Sequence, residues 1–199
     1  MPPEKDKRLH NKRDELQLRI RLGEFINAYI LPFAAILEEL IQLKINFEVV
    51  ESRCIPLEFH EHLAEPLQKE PLSVHVANLP FNSADPKIDS LMEQFPSVLS
   101  LRYQPDLPVF DIDPSNDDFA LKQLIQKMRL NDTEVFLCYL NTPFVIKTNL
   151  TELVERANDE IFNTWQGDAV IFSNNFNWLI AYSLEEEWRY STLLHQQSL

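Results

Sequence analysis

Asp168-Ala-Val-Ile-Phe-Ser-Asn-Asn-Phe-Asn-Trp-Leu-Ile-Ala-Tyr-Ser-Leu-Glu-Glu-Glu-Trp188 is the stretch that decides the fold. Ala169 to Phe172, Trp178 to Tyr182 and Trp188 to Tyr190 are short runs rich in β-branched and aromatic residues. Turn residues at Ser173 to Asn175 and at Leu184 to Glu187 separate them. Connections this short join antiparallel neighbours, because a parallel crossover needs a dozen residues or more. Upstream, Glu134 to Leu140 and Phe144 to Lys147 flank Asn141, Thr142 and Pro143 and predict another hairpin. Phe47 to Val50 reads as a short strand. Leu72 to Ala77 and Val98 to Tyr103 alternate apolar and polar residues as half-buried strands do.

Helical patterns surround these strands. Over residues 4–31, Leu9, Leu16, Ile20, Ile26 and Ile30 recur near helical spacing, with a second stripe of Leu18, Leu22, Phe25, Tyr29 and Phe33 beside them. Pro32 predicts a kink or a restart, after which Ile36, Leu37, Leu40 and Ile41 carry the apolar face to about Ile45. Asp85 and Pro86 open a short helix. Ser115 or Asn116 caps one with Phe119, Leu121, Leu124, Ile125 and Met128 on its apolar face. Asn149 followed by Glu152 is a capping-box variant that opens a helix running through Ala157 to Phe162. The expected class is α+β: an N-terminal helix pair packed on a mixed, mainly antiparallel sheet with additional helices. Residues 1–46 form the helical segment and 47–199 the α+β domain, together one compact unit. The two N-terminal stripes cannot both face one sheet. One meets the chain's own second segment, the favoured arrangement, or a second copy in a homodimer.

Composition narrows the function. Gly23 and Gly167 are the only glycines, where ordinary usage of about 7% would supply roughly fourteen. Phosphate-cradling loops need several, so P-loop and dinucleotide-binding chemistry are excluded. The net charge of −13 argues against nucleic acid, whose binding rests on Lys and Arg at the phosphates. Residues 1–22 nonetheless carry seven basic against four acidic side chains, a net +3, which leaves −16 on the remainder. No secretory pattern follows Met1, and the longest apolar run, Ala28 to Leu37, contains Pro32 and is too short for a membrane span. A cytoplasmic protein without membrane attachment is expected. Cys54 and Cys138 read as free thiols among apolar neighbours.

No motif carries chemistry. Asp111-Ile-Asp113-Pro-Ser115 resembles the opening of an aspartate-nucleophile site, but its strand and its downstream partner acids are missing. As a calcium loop it has Asn116 and Lys122 where Gly and Glu belong. His60-Glu61-His62 with Glu58 lacks further ligands at a recognisable spacing. We therefore expect no enzyme, no cofactor and no metal, the alternatives being a homo-oligomeric structural protein that uses the N-terminal helices or an enzyme whose site is assembled from residues too scattered for the sequence to show. What remains is surface: Asp111, Asp113, Asp117 and Asp118 in one loop and helix start, and Glu185, Glu186 and Glu187 at a hairpin tip beside Trp188. Acids next to aromatics suit a binding patch for a basic protein partner, since carboxylates steer the encounter and rings supply buried area.

The stretch quoted first also resembles the closing hairpins of immunity proteins from bacterial polymorphic-toxin systems, and the likeness covers about residues 134–192. That resemblance implies a small acidic α+β protein that binds and occludes a basic toxin domain.

Overall fold

A computed structural model describes residues 3–52, 55–67, 120–139, 142, 144–162, 168–183 and 187–192. The expected strands at 72–77 and 98–103 and the helix opened by Asp85 lie outside these residues. So does the expected cap at Ser115 or Asn116.

Helix α1 spans Pro3–Phe25, one π-helical turn covers Ile26–Ile30, and α2 follows over Leu31–Gln42. The three segments run on without a break, forming a rod about 60 Å long at ~1.5 Å per residue. The reading at Pro32 is resolved by the π turn. Leu31 N–H bonds back five residues to the Ile26 carbonyl, which widens the helix just where Pro32 enters the first turn of α2. The rod changes character along its length. Leu18, Leu22, Phe25 and Ile26 pack against the core, and Ile30, Phe33, Ile36, Leu37 and Leu40 are buried in it.

The remaining elements are β1 (Phe47–Ser52), α3 (His60–Leu67), α4 (Ala120–Met128), β2 (Glu134–Tyr139) and β3 (Phe144–Asn149). Then come α5 (Leu150–Arg156), α6 (Asp159–Phe162), β4 (Ala169–Ser173), β5 (Trp178–Tyr182) and β6 (Trp188–Thr192). The strands form one sheet in the order β1-β3-β2-β4-β5-β6, and every described pairing is antiparallel. The hairpins expected at 134–147, 169–182 and 178–190 are all present, the last strand running on to Thr192. A bulge at Val50 shifts the β1 register.

One face of the sheet packs on the helices. Val135, Leu137, Tyr139, Phe144, Ile146, Ile171 and Ile180 meet the α2 residues, Leu124, Leu153 and Ile161, and Phe33 stacks on Phe144 at 4.5 Å. Each such side chain contributes about 1.5–3 kcal/mol by leaving water. The opposite face is buried as well, through Phe136, Cys138, Val145, Val170, Phe172, Leu179 and Ala181. This explains why β4 and β5 read as continuous apolar runs rather than alternating ones.

The glycine shortage leaves a mark on the backbone. Lys44, Arg129 and Phe176 take left-handed conformations at φ 57°, 55° and 56°, where glycine would be easiest. Lys44 and Arg129 each end a helix, and the next N–H bonds back five residues, from Ile45 to Leu40 and from Leu130 to Ile125. Phe176 turns the β4–β5 hairpin with its ring stacked on Phe172.

Candidate interaction surface

Of the acids singled out from the sequence, Asp111, Asp113, Asp117, Asp118, Glu185 and Glu186 lie outside the described residues. Glu187 and Trp188 are placed. Ser183 N–H donates to the Glu187 carbonyl at 3.0 Å, which ties the end of β5 to the start of β6. The Glu187 carboxylate then accepts from Arg189 Nη2 at 2.5 Å. Trp188 points the other way. It is only 8% exposed, with its ring 5.1 Å from Phe162 and 4.9 Å from Tyr182. Alternation along the strand puts neighbours on opposite faces, so Trp188 anchors the hairpin in the core while Glu187 and Arg189 share the other side. Its contribution to this edge is support from beneath rather than exposed aromatic area.

The remaining polar candidates have structural settings. His60 and His62 lie on α3, with His60 Nε2 3.1 Å from the Ile55 carbonyl and His62 exposed. Two residues apart on a helix, the rings diverge by about 200°. Among the described residues, no group of three or more His, Cys, Asp or Glu is gathered as a metal would require. Cys138 is fully buried in the sheet. Tyr139 is buried too, and its hydroxyl donates to the Ile161 carbonyl at 2.8 Å; burial raises that phenol well above its ordinary range.

One polar cluster was not visible in the sequence. Asn149 caps α5 as expected, accepting from Glu152 N–H. The Glu152 carboxylate does not reach back to Asn149, however. It accepts from Asn46 N–H at 2.7 Å and from Asn46 Nδ2 at 2.8 Å, across 106 residues of chain. These bonds hold Glu152 below the usual carboxylate range, the backbone bond first and the side-chain bond second. Arg156 to the Lys44 carbonyl, Asn158 to Glu39, and Thr148 to the Asn46 carbonyl complete a clasp between the end of α2 and α5. Only the proximity of these elements in the fold could have revealed it.

The largest unassigned feature is the outer face of the long helix. From Arg8 to Arg21 every residue is exposed except the half-buried Leu18. At ~100° per residue, Leu9, Leu16 and Ile20 fall within about 40° of one another, opposite Leu18, Leu22 and Phe25. The inner three touch the core. The outer three are 61, 59 and 53% exposed, and Leu31 and Ile41 farther along are 54 and 49% exposed. The first stripe is therefore divided along its length, with Ile26 and Ile30 in the core and Leu9, Leu16 and Ile20 exposed. The favoured arrangement, one stripe covered by the chain's own second segment, is not found, because that segment continues the same helix. By length and composition the helix Arg8–Gln42 could also cross a membrane, with 22% of its most apolar window buried within the protein. The buried part packs on the sheet, as a core helix does.

No protein-family model, curated protein or solved structure matches this chain.

Proposed function

We propose that this is a cytoplasmic interaction protein of the immunity type, which binds a basic protein partner through its acidic surface and acts by occlusion rather than by chemistry. The observation that carries this reading is the β5–β6 hairpin. Ser183 and Glu187 fix its base, Phe162, Tyr182 and Trp188 hold it from below, β6 is an edge strand of the described sheet, and the sequence between the two strands includes Glu185 and Glu186. A base held by packing adds little ordering cost of its own when a partner binds beside it. The −16 carried outside residues 1–22 supports the same reading by steering a basic partner toward the body of the protein. The expected acids between Asp111 and Asp118 belong to that charge.

The test is Glu185→Lys with Glu186→Lys, leaving Glu187 to its bond with Arg189. Captured from its native cells at low salt, the parent should retain one basic companion. The variant should bind it at least about tenfold more weakly while losing less than ~0.5 kcal/mol of stability. Equal binding by parent and variant would remove the hairpin from the account. A second reading, self-association, is favoured by the outer face of the long helix.

A further inference from the structure

We propose that two copies of this chain associate through the outer faces of their long helices, laid antiparallel about a two-fold axis near Glu24 and Phe25. The face that would do this is continuous. On α1 it consists of Leu9, Lys12, Arg13, Leu16 and Ile20; on α2 it consists of Leu31, Ala35 and Glu38, turned away from Phe33, Leu37 and Leu40 in the core, and of Ile41 at its margin one turn from Leu37, all exposed. Between Leu9 and Ile41 this face is about 50 Å long.

A two-fold interface is self-complementary: if residue i meets residue j, then j meets i. In an antiparallel pair, facing residue numbers therefore add to a constant. A constant of about 50 sets Leu9 against Ile41 of the second copy, Leu16 against Ala35, and Ile20 against Leu31. The same register sets Lys12 and Arg13 against Glu38. Each exposed large apolar residue of the helix thus meets an apolar partner, and the basic end of one helix meets the acidic turn of the other. The charges select the direction. A parallel pair would align the basic segments side by side, whereas the antiparallel one crosses Lys12 and Arg13 with Glu38 at both ends. Near the axis lies Gly23, facing Asn27 and Ala28 of the second copy. Nothing lies within 4 Å of the position its Cβ would take, so the two backbones are free to approach there.

Sedimentation velocity on the full chain should show a monomer–dimer equilibrium at micromolar concentration. Leu16→Glu with Ile20→Asp should raise the dissociation constant about a hundredfold without changing the circular dichroism of the monomer, since both residues are exposed. Lys12→Glu with Arg13→Glu should weaken the dimer about tenfold, and adding Glu38→Lys should restore it to within about threefold of the parent. Under oxidation, a chain carrying Leu9→Cys and Ile41→Cys should form a covalent dimer linked 9 to 41, while Leu9→Cys alone should give none through position 9. A chain that stays monomeric at every concentration would overturn the proposal, and so would a 9-to-9 link. Flotation of a monomeric protein with vesicles of phosphatidylcholine and about one-third phosphatidylserine, lost in the Leu16→Glu, Ile20→Asp variant, would assign the face to a membrane instead.

Discussion

Asn46 and Glu152 show how a single side chain can serve two elements. The carboxylate sits near the first turn of α5, where the helix dipole favours an anion, and it also satisfies the Asn46 N–H after α2 has ended. Both effects favour its charged form, so its folded pKa lies below its unfolded one. Stability from this group is therefore present above the unfolded pKa and is lost as pH falls through the folded value. Glu152→Gln should lower the Tm of the protein near neutral pH. The difference from the parent should shrink as pH drops through and below the ordinary carboxylate range, and thermal melts of both proteins from pH 7 to about 3 would show it. A constant difference across that range would mean the clasp draws on packing rather than charge. The cap at Asn149 was legible because capping is local. Its clasp was not, because Asn46 and Glu152 are brought together only by the pairing of β1 with β3.

Among the elements, the three hairpins were legible because their turns are short and their strands carry dense β-forming residues. The helix expected through Phe162 was not, since it breaks at Ala157, whose ψ of 141° ends α5 before Asn158 and α6. The apolar period continues across that break because both pieces face the same core, so periodicity alone could not reveal it. The long helix shows the converse. Its helical spacing was legible, but spacing cannot say where along the helix a stripe reaches the core: Ile26 and Ile30 do, while Leu9, Leu16 and Ile20 of the same stripe do not. The structure divides the helix near Leu18, and truncation should respect that division. Deleting residues 1–17, measured at a dilution that keeps the chain monomeric, should leave a soluble protein with its Tm within a few degrees of the parent. Deleting residues 1–31 removes Leu18, Leu22, Phe25 and Ile26, each packed against the core, and the fully buried Ile30, which alone is worth ~1.5–3 kcal/mol. That protein should aggregate or melt well below the parent. Thermal melts with light scattering separate the two, and an equally severe loss from the shorter deletion would contradict the division at Leu18.

At the scale of the whole molecule, a six-stranded antiparallel sheet buried on both faces supports a helix that leaves it and continues into solvent. The sheet supplies stability, while the projecting helix supplies exposed surface. An isolated helix of this length is marginal in water, so the outer half should be well formed only when something covers it. Hydrogen exchange at two protein concentrations tests this most directly. When dilute, amides from about Arg8 to Gln17 should exchange orders of magnitude faster than those of β2, β3 and β4, which should open only with global unfolding. When concentrated, the same helical amides should become protected while the sheet is unchanged. Protection of Arg8 to Gln17 that is independent of concentration, or fast exchange at the centre of the sheet, would contradict the account.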